Sequence, residues 1–378
     1  MTPPPPERRS DPVRSVLFGS TGLHIGGGIA SVGRCIARVL EDRAAEGGLD
    51  RVDRVLLLDD PADPAAPPRH GVQRLSRGSQ SRFVWQLWRE YRRRRHDLVL
   101  FDLVGLARGT RLPLPGFPPP RIAIFVHGDE LAAAERGPRA RALLAARRVL
   151  ANSAFTAARV GRLHPGLGDR VRTVPLCIDP ERTAEWEAVE TAPAPPREPA
   201  ALIVGRMWSV ERGKGHDELI AAWPKVRARA PAAELWVVGA GDDRPRLEAE
   251  ARKAGVADAV RFLGRVSDAE LGALYRRASV FAMPSRQEGF GLVYAEAMWH
   301  GLPCIGSTAD AASQVIAEGE TGCLVPYGDV AAIERAVGAL LTDPDAAARM
   351  GEAGRRRARE HFGYPRFRRE LLAALELE

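Results

Sequence analysis

Twelve short runs rich in Val, Ile, Leu and Phe recur along the chain, and between successive runs the pattern turns helical. The first six are RSVLFG (14–19), RVLLLD (54–59), DLVLFD (97–102), RIAIFVH (121–127), RVLANS (148–153) and RVRTVP (170–175). After a proline-rich break, TAPAPPREPA at 191–200, the alternation restarts with ALIVG (201–205), ELWVVG (234–239), VRFLG (260–264), SVFAMPS (279–285), LPCIGS (302–307) and GCLVP (322–326). Continuous apolar strands separated by helices mark a parallel sheet covered on both faces. Two such sets predict an α/β chain of two doubly wound, Rossmann-like domains in series. At 378 residues there is chain enough for two separate cores. The expected organisation is a disordered basic arm at 1–12, a first domain at 13–188, a linker at 189–200, a second domain at 201–360 and a closing helix at 361–378 returning towards the first domain.

Several classes are excluded early. Cys35, Cys177, Cys304 and Cys323 form no CxxC pair, so neither structural zinc nor a disulfide framework is expected. MTPPPPERRSDP lacks an apolar h-region, and no later window reaches the roughly 18 unbroken apolar residues of a spanning helix. A cytoplasmic protein is the expectation. The net charge of +7 is uneven: residues 1–190 hold 30 arginines against 22 acidic residues, +8, leaving −1 for residues 191–378. An anionic partner is therefore expected on the first half. No nucleic-acid motif accompanies the charge.

In doubly wound sheets ligands sit beyond the carboxyl ends of the strands, so the residues after each run carry the functional information. EGFGLVYAE, 288–296, follows SVFAMPS. Glu288 falls on a strand-to-helix loop, Gly289 to Gly291 open a helix, and Glu296 lies a turn or so into it. A helix start offers unpaired N–H groups to an anion, glycines allow close approach, and the two carboxylates can accept from paired sugar hydroxyls. The blander reading is that both glutamates only favour the helix start. VGRMWSVERGKG, 204–215, places Arg206 just past a strand and Lys214 on a glycine-punctuated loop, where two cations could clamp a diphosphate or simply be solvated. GxxxxGK[ST] is absent, so this is not a P-loop.

In the first half, GSTGLHIGGGIASVG (19–33) is a weak dinucleotide fingerprint with irregular glycines. His127 ends a strand and precedes Gly128-Asp129. SRFVWQLWREYRRRRHD (81–97) spaces Val84, Trp85, Trp88 and Tyr91 at roughly helical intervals beside Arg89 and Arg92 to Arg95. Two readings stay open there: aromatics in the core with a solvated basic face, or a basic amphipathic helix lying on an anionic bilayer.

These segments carry a resemblance. EGFGLVYAE is similar to the Glu-x7-Glu signature of retaining GT-B glycosyltransferases of family 4, the glycosyl transferases group 1, and the segments around it across 200–330 resemble that family in the same order. GGGIASVGRCIARVL, ANSAFTAARV and VPLCIDP are similar to segments of its first half. The resemblance implies the GT-B fold, two Rossmann-like domains facing across a cleft, the first binding acceptor and the second a nucleotide-diphosphate sugar. It implies that Glu288 holds donor-sugar hydroxyls, that Gly289, Phe290, Gly291 and Leu292 offer backbone groups to sugar or diphosphate, and that Glu296 holds the ribose. Arg206 and Lys214 would stabilise the diphosphate, Gly264, Arg265 and Val266 would hold the base through backbone, and Gly27 and Gly28 would reach the donor phosphate. His127 would touch the donor sugar or orient the acceptor.

The implied reaction is hexosyl transfer from a UDP- or GDP-linked sugar to an acceptor hydroxyl, with retention and no cofactor or metal. The Asp343-Pro344-Asp345 triplet reads as a helix cap rather than a metal motif. A glycan or lipid-linked glycan of envelope or exopolysaccharide assembly is the expected acceptor, with peripheral membrane association through the basic first domain. Rival readings are a non-catalytic sugar-nucleotide-binding protein of the same fold and a transferase acting on a soluble small molecule.

Overall fold

The computed structural model of the protein describes residues 12–25, 27–60, 62, 65–111, 121–189 and 195–378. They fall into two compact units. The first contains the described residues up to Ala151, together with Val160–Val174 and Phe367–Glu378; the second contains Asn152–Arg159 and Pro175–Arg366.

The first unit is built on seven strands: β1 (Ser15–Ser20), β2 (Arg51–Leu56), β3 (Gln73–Leu75), β4 (Leu98–Phe101), β5 (Arg121–Val126), β6 (Arg148–Ala151) and β7 (Val171–Thr173). All pair in parallel in the order β3-β2-β1-β4-β5-β6-β7. Leu17, Phe18, Phe101 and Phe125 are fully buried along this sheet, each worth roughly 1.5–3 kcal/mol relative to exposure. The helix Gly28–Ala45 buries Val32, Ile36, Val39 and Leu40, the one-sided stripe expected of a covering helix.

The second unit repeats the plan with β8 (Ala200–Val204), β9 (Glu234–Val238), β10 (Val260–Gly264), β11 (Val280–Ala282), β12 (Cys304–Ser307) and β13 (Gly322–Val325). Its order is β10-β9-β8-β11-β12-β13, again all parallel. The chain order therefore reverses between β8 and β11, and the mouth of a doubly wound sheet opens at that switch point.

Each of the twelve runs overlaps a strand, but two features depart from the sequence reading. The strand expected at 54–59 runs instead from Arg51 to Leu56. Charged residues in its interior obscure it: Asp53 is buried and accepts from Arg51 Nε and His96 Nε2, both at 2.9 Å, and from the Val72 amide at 2.7 Å. Burial pushes the Asp53 carboxyl up, yet these donors outweigh it and hold it at about 2. The added strand β3 is a half-buried edge strand, QRL, with no apolar run to announce it.

The expected boundary at 189–200 is also corrected, because the units change over at 174/175 and 366/367. The helix Pro180–Val189 belongs to the second unit through packing. Trp186 is buried against Gly272, where an added Cβ would come within 3.0 Å of its ring. At the other end of the chain, Glu376 pairs with Arg147 at 2.9 Å and with Arg148, and Arg368 pairs with Glu46, all inside the first unit. Most of the expected arm (1–11) and the middle of the expected linker (190–194) lie outside the described residues.

Candidate functional site

The loops leaving β8 and β11 press together in the second unit. Lys214 stands between Gly213 (φ 128°) and Gly215 (φ 98°), and a Cβ on Gly215 would come within 2.7 Å of the Pro284 ring. Only glycine permits both that backbone and that approach. Arg286 N–H donates to the Gly213 carbonyl at 2.9 Å, closing the junction. Across it, Lys214 Nζ lies 2.8 Å from Glu288 Oε2, with the two side chains 15% and 21% exposed.

Asp310, three residues past β12, fixes the Glu288 loop from beneath. Its carboxylate accepts from the Glu288 amide at 3.1 Å, from the Ala312 amide at 2.9 Å and from the Ser285 hydroxyl. Burial raises this carboxyl to about 6. The Gly289 carbonyl accepts from Ser153 Oγ at 2.7 Å and Thr156 Oγ1 at 3.2 Å. Phe290 is buried edge-on against Phe362, with ring centroids 5.8 Å apart. Gly291, at φ 91° and ψ 55°, then opens the helix Leu292–Trp299 without a side-chain cap. A helix end with no side-chain cap, and so with the positive end of its dipole, thus stands beside the Lys214–Glu288 pair.

Glu296 lies on that helix and is buried, with Oε1 held by Arg182 and Oε2 accepting from the Tyr275 hydroxyl at 3.1 Å. Burial drives its carboxyl upward, and Arg182 and Tyr275 oppose that. Arg206 pairs with Glu211 at 3.0 Å and stacks over Trp208 at 4.7 Å, half exposed on its own loop. Gly264 (φ 72°) closes β10, and its carbonyl accepts from the Gly239 amide at 2.8 Å. Arg265 is exposed and Val266 half-buried. Gly264 ends the edge strand, two strands from β8, and Arg265 and Val266 follow it on the loop.

In the first unit Gly27, at φ 111°, precedes the helix Gly28–Ala45, and a Cβ on Gly28 would meet nothing within 4 Å. His127 follows β5, and its Nε2–H donates to the Asp102 carbonyl at 2.8 Å. Asp102 is itself buried, raised by that burial to about 6, and accepts from Ser20 Oγ at 2.6 Å. The helix Gln80–Arg94 divides its aromatics rather than grouping them: Phe83 and Tyr91 are buried, Trp88 is half-buried, and Trp85 is 58% exposed under the Arg89 guanidinium.

The structure therefore brings together Lys214, Glu288 and Gly289 to Leu292, with Glu296 about one turn on. Gly27, Gly28 and His127 belong to the first unit and are described there alone. Asp310, Ser153, Thr156, Tyr275 and Arg182 were missed. Asp310 and Ser153 obey the strand-end rule and were findable by it, Ser153 lying two residues past β6; Thr156, Tyr275 and Arg182 do not follow a strand end. Among the described residues no group of three His, Cys, Asp or Glu side chains is arranged to hold a metal ion. Asp343 caps the helix Pro344–His361 through the Ala346 amide at 2.9 Å.

Residues 198–343, which contain the Lys214–Glu288 site, match the family model described as Glycosyl transferases group 1. That match is confined to these residues, less than half of the chain. A GDP-mannose-dependent alpha-(1-6)-phosphatidylinositol monomannoside mannosyltransferase of Mycolicibacterium smegmatis is 41% identical over 156 residues, 39% of this chain and 41% of the relative. Glycogen synthase of Mycobacterium tuberculosis is 38% identical over 167 residues, 44% of this chain and 40% of the relative. The chain thus spans about two fifths of the length of these curated relatives. Over the whole fold, sucrose-phosphate synthase from Thermosynechococcus elongatus superposes with a TM-score of 0.76 at 24% identity, covering 96% of this chain and 98% of that one. Anabaena HepE, solved in complex with UDP and glucose, gives a TM-score of 0.71 at 17% identity, covering 96% and 99%. The fold is GT-B, and the matched residues lie within its second unit.

Proposed function

We propose that the chain is a retaining family 4 hexosyltransferase, moving a hexosyl unit from a UDP- or GDP-linked sugar to a hydroxyl of a glycan or lipid-linked acceptor. One observation carries the reading: Lys214 and Glu288 meet at 2.8 Å beside the uncapped helix start at Gly291, where the sheet order reverses. Departure of a nucleoside diphosphate from an anomeric carbon concentrates negative charge on the leaving phosphate, and preorganised positive charge is what lowers that barrier. Lys214 and the helix start supply it, Arg206 adds a second cation from the neighbouring loop, and no divalent metal is needed in this scheme. Glu288 orients Lys214 and accepts from donor-sugar hydroxyls, Glu296 accepts from the ribose, and Gly264 to Val266 offer backbone to the base. Gly27 and Gly28 are assigned to the donor phosphate and His127 to the sugar or acceptor. With no protein base assigned, the leaving phosphate takes the acceptor proton on the same face. The GDP-mannose dependence in the relative's name and the UDP bound to the structural neighbour both support a nucleotide-diphosphate donor.

The reading is tested by a donor panel: thermal shift and slow donor hydrolysis with UDP- and GDP-sugars, wild type beside Glu296→Ala, with and without EDTA. A shift selective for one donor, with hydrolysis that resists EDTA and is lost in the variant, is expected. Absence of any nucleotide-sugar effect would reduce the reading to a shared architecture.

The acceptor side of the proposal rests on the helix Gln80–Arg94. Trp85 is exposed beside Arg82, Arg89, Arg92 and Arg93 in the arginine-rich half of the chain, a composition suited to the anionic cytoplasmic face of a membrane. Among the described residues no helix is long and apolar enough to cross one. Trp85→Ala combined with Arg92→Gln and Arg93→Gln is expected to weaken binding to phosphatidylglycerol vesicles by about 10-fold or more, at roughly 1 kcal/mol per basic side chain. Trp88→Ala, which trims a half-buried ring, should change vesicle binding little. Equal binding by wild type and the triple variant would end the membrane assignment.

A further inference from the structure

Arg182 lies on a helix that no strand-end rule points to, yet its guanidinium joins three elements of the second unit. One nitrogen bonds Glu296 Oε1, on the helix Leu292–Trp299. Another bonds Asp268 Oδ1 at 2.5 Å, at the start of the helix Asp268–Arg277. The Trp186 ring, one turn along its own helix, sits 5.6 Å from the guanidinium carbon. Tyr275 donates to the second Glu296 oxygen at 3.1 Å. Each oxygen of Glu296 thus has one protein donor, and an ionised carboxylate offers about four acceptor sites, so roughly half its capacity is left. The two side chains are only 17% and 7% exposed. A carboxylate so far from water persists as an acceptor only if it is paired, and an unpaired one takes up a proton and ceases to accept on both oxygens.

The position of Asp268 adds a second link. It follows Val266 by two residues, directly after the loop assigned to the base. The chain of contacts Asp268–Arg182–Glu296–Tyr275 therefore ties the base loop to the carboxylate assigned to the ribose. We propose that Arg182 is a positioning residue for the nucleoside half of the donor, holding Glu296 in one orientation as a carboxylate with acceptor sites free for the two ribose hydroxyls and coupling it to the base loop. The inference rests on the assignment of Glu296 to the ribose. Arg182 bonds Glu296 and Asp268, away from the Lys214–Glu288 pair assigned to the diphosphate and sugar, so its loss should act on donor binding rather than on bond breaking.

The test compares UDP or GDP, whichever stabilises the protein in the donor panel, with its 2′,3′-dideoxy form, by calorimetry on wild type, Arg182→Lys, Arg182→Met and Glu296→Ala. Wild type is expected to prefer the ribose form by about 10- to 100-fold, as hydrogen bonds to a charged acceptor imply. In Arg182→Met the preference should fall to within about threefold, with donor KM raised and kcat changed less than about threefold. Arg182→Lys keeps the charge but not the planar fork, so it should remain folded and show an intermediate preference. A merely structural ion pair would lower the melting temperature and leave the ribose preference intact. Wild-type preference in Arg182→Lys and Arg182→Met would therefore overturn the inference, and if Arg182→Met does not fold, unchanged preference in Arg182→Lys alone suffices. If Glu296→Ala keeps the wild-type preference, the ribose assignment itself fails and Arg182 loses its role with it.

Discussion

Lys214→Ala is expected to lower kcat/KM for the sugar-nucleotide donor by about 100- to 1000-fold, the usual cost of removing one preorganised group from the site of developing negative charge. The expectation is large because of where the ammonium is held. Lys214 is 15% exposed and ion-paired to Glu288, on a backbone set by two left-handed glycines, so neither water nor a mobile surface cation can replace it. Lys214→Arg should recover little, since the longer planar fork must enter a junction in which Gly215 already abuts Pro284. Removing the lysine also leaves the Glu288 carboxylate without its cation, and Glu288→Gln separates the two effects. If charge on the diphosphate is what matters, Lys214→Ala loses most of its activity in kcat while Glu288→Gln loses mainly sugar selectivity. Melting curves must accompany the kinetics. Wild-type turnover in a folded Lys214→Ala protein would remove the diphosphate role from this residue.

The strands were legible because a parallel sheet buried on both faces must be written as continuous apolar runs. The exceptions have physical causes. β2 hides Asp53 and Arg54 in its interior, each held by a hydrogen-bond partner outside the strand, the His96 ring for Asp53 and the Glu41 carboxylate for Arg54. β3 is an edge strand, which needs no apolar face. At the site, Glu288, Gly291 and Lys214 were legible because they lie on the glycine-punctuated loops that leave β8 and β11, and Asp310 lies on the loop after β12. Arg182 lies in the first turn of its helix and Tyr275 in the last turn of its own, 114 and 21 residues from the glutamate they serve, and they are identified only by the packing of three helices. Arg206 shows the converse limit. Its position past β8 is as expected, but the structure pairs it with Glu211, a contact the strand-end rule says nothing about.

Gly291→Ala should be strongly damaging for a single-methyl change, lowering stability by about 3 kcal/mol and weakening the donor site in whatever protein still folds. Two terms add. At φ 91° an L-residue pays roughly 1–2 kcal/mol for the left-handed backbone. The new Cβ would also lie 2.4 Å from Tyr294 Cδ2 and 3.3 Å from Glu288 Cγ, an overpacking worth about 1–3 kcal/mol. Tyr294 cannot yield, because its ring is fully buried and its hydroxyl donates to the Met283 carbonyl. Relief must come from the backbone at 289–291, which displaces the helix start and the carboxylate that holds Lys214. Urea denaturation should therefore show a lowered midpoint, and donor KM should rise at temperatures where the variant remains folded. Gly161→Ala is the matched control, since a Cβ there meets nothing within 4 Å inside the helix Ala154–Leu163. It should leave donor KM unchanged and stabilise by about 0.5–1 kcal/mol. Equal urea midpoints for the two variants would show that Gly291 tolerates a side chain, and the proposed helix-start anion seat would lose its geometric basis.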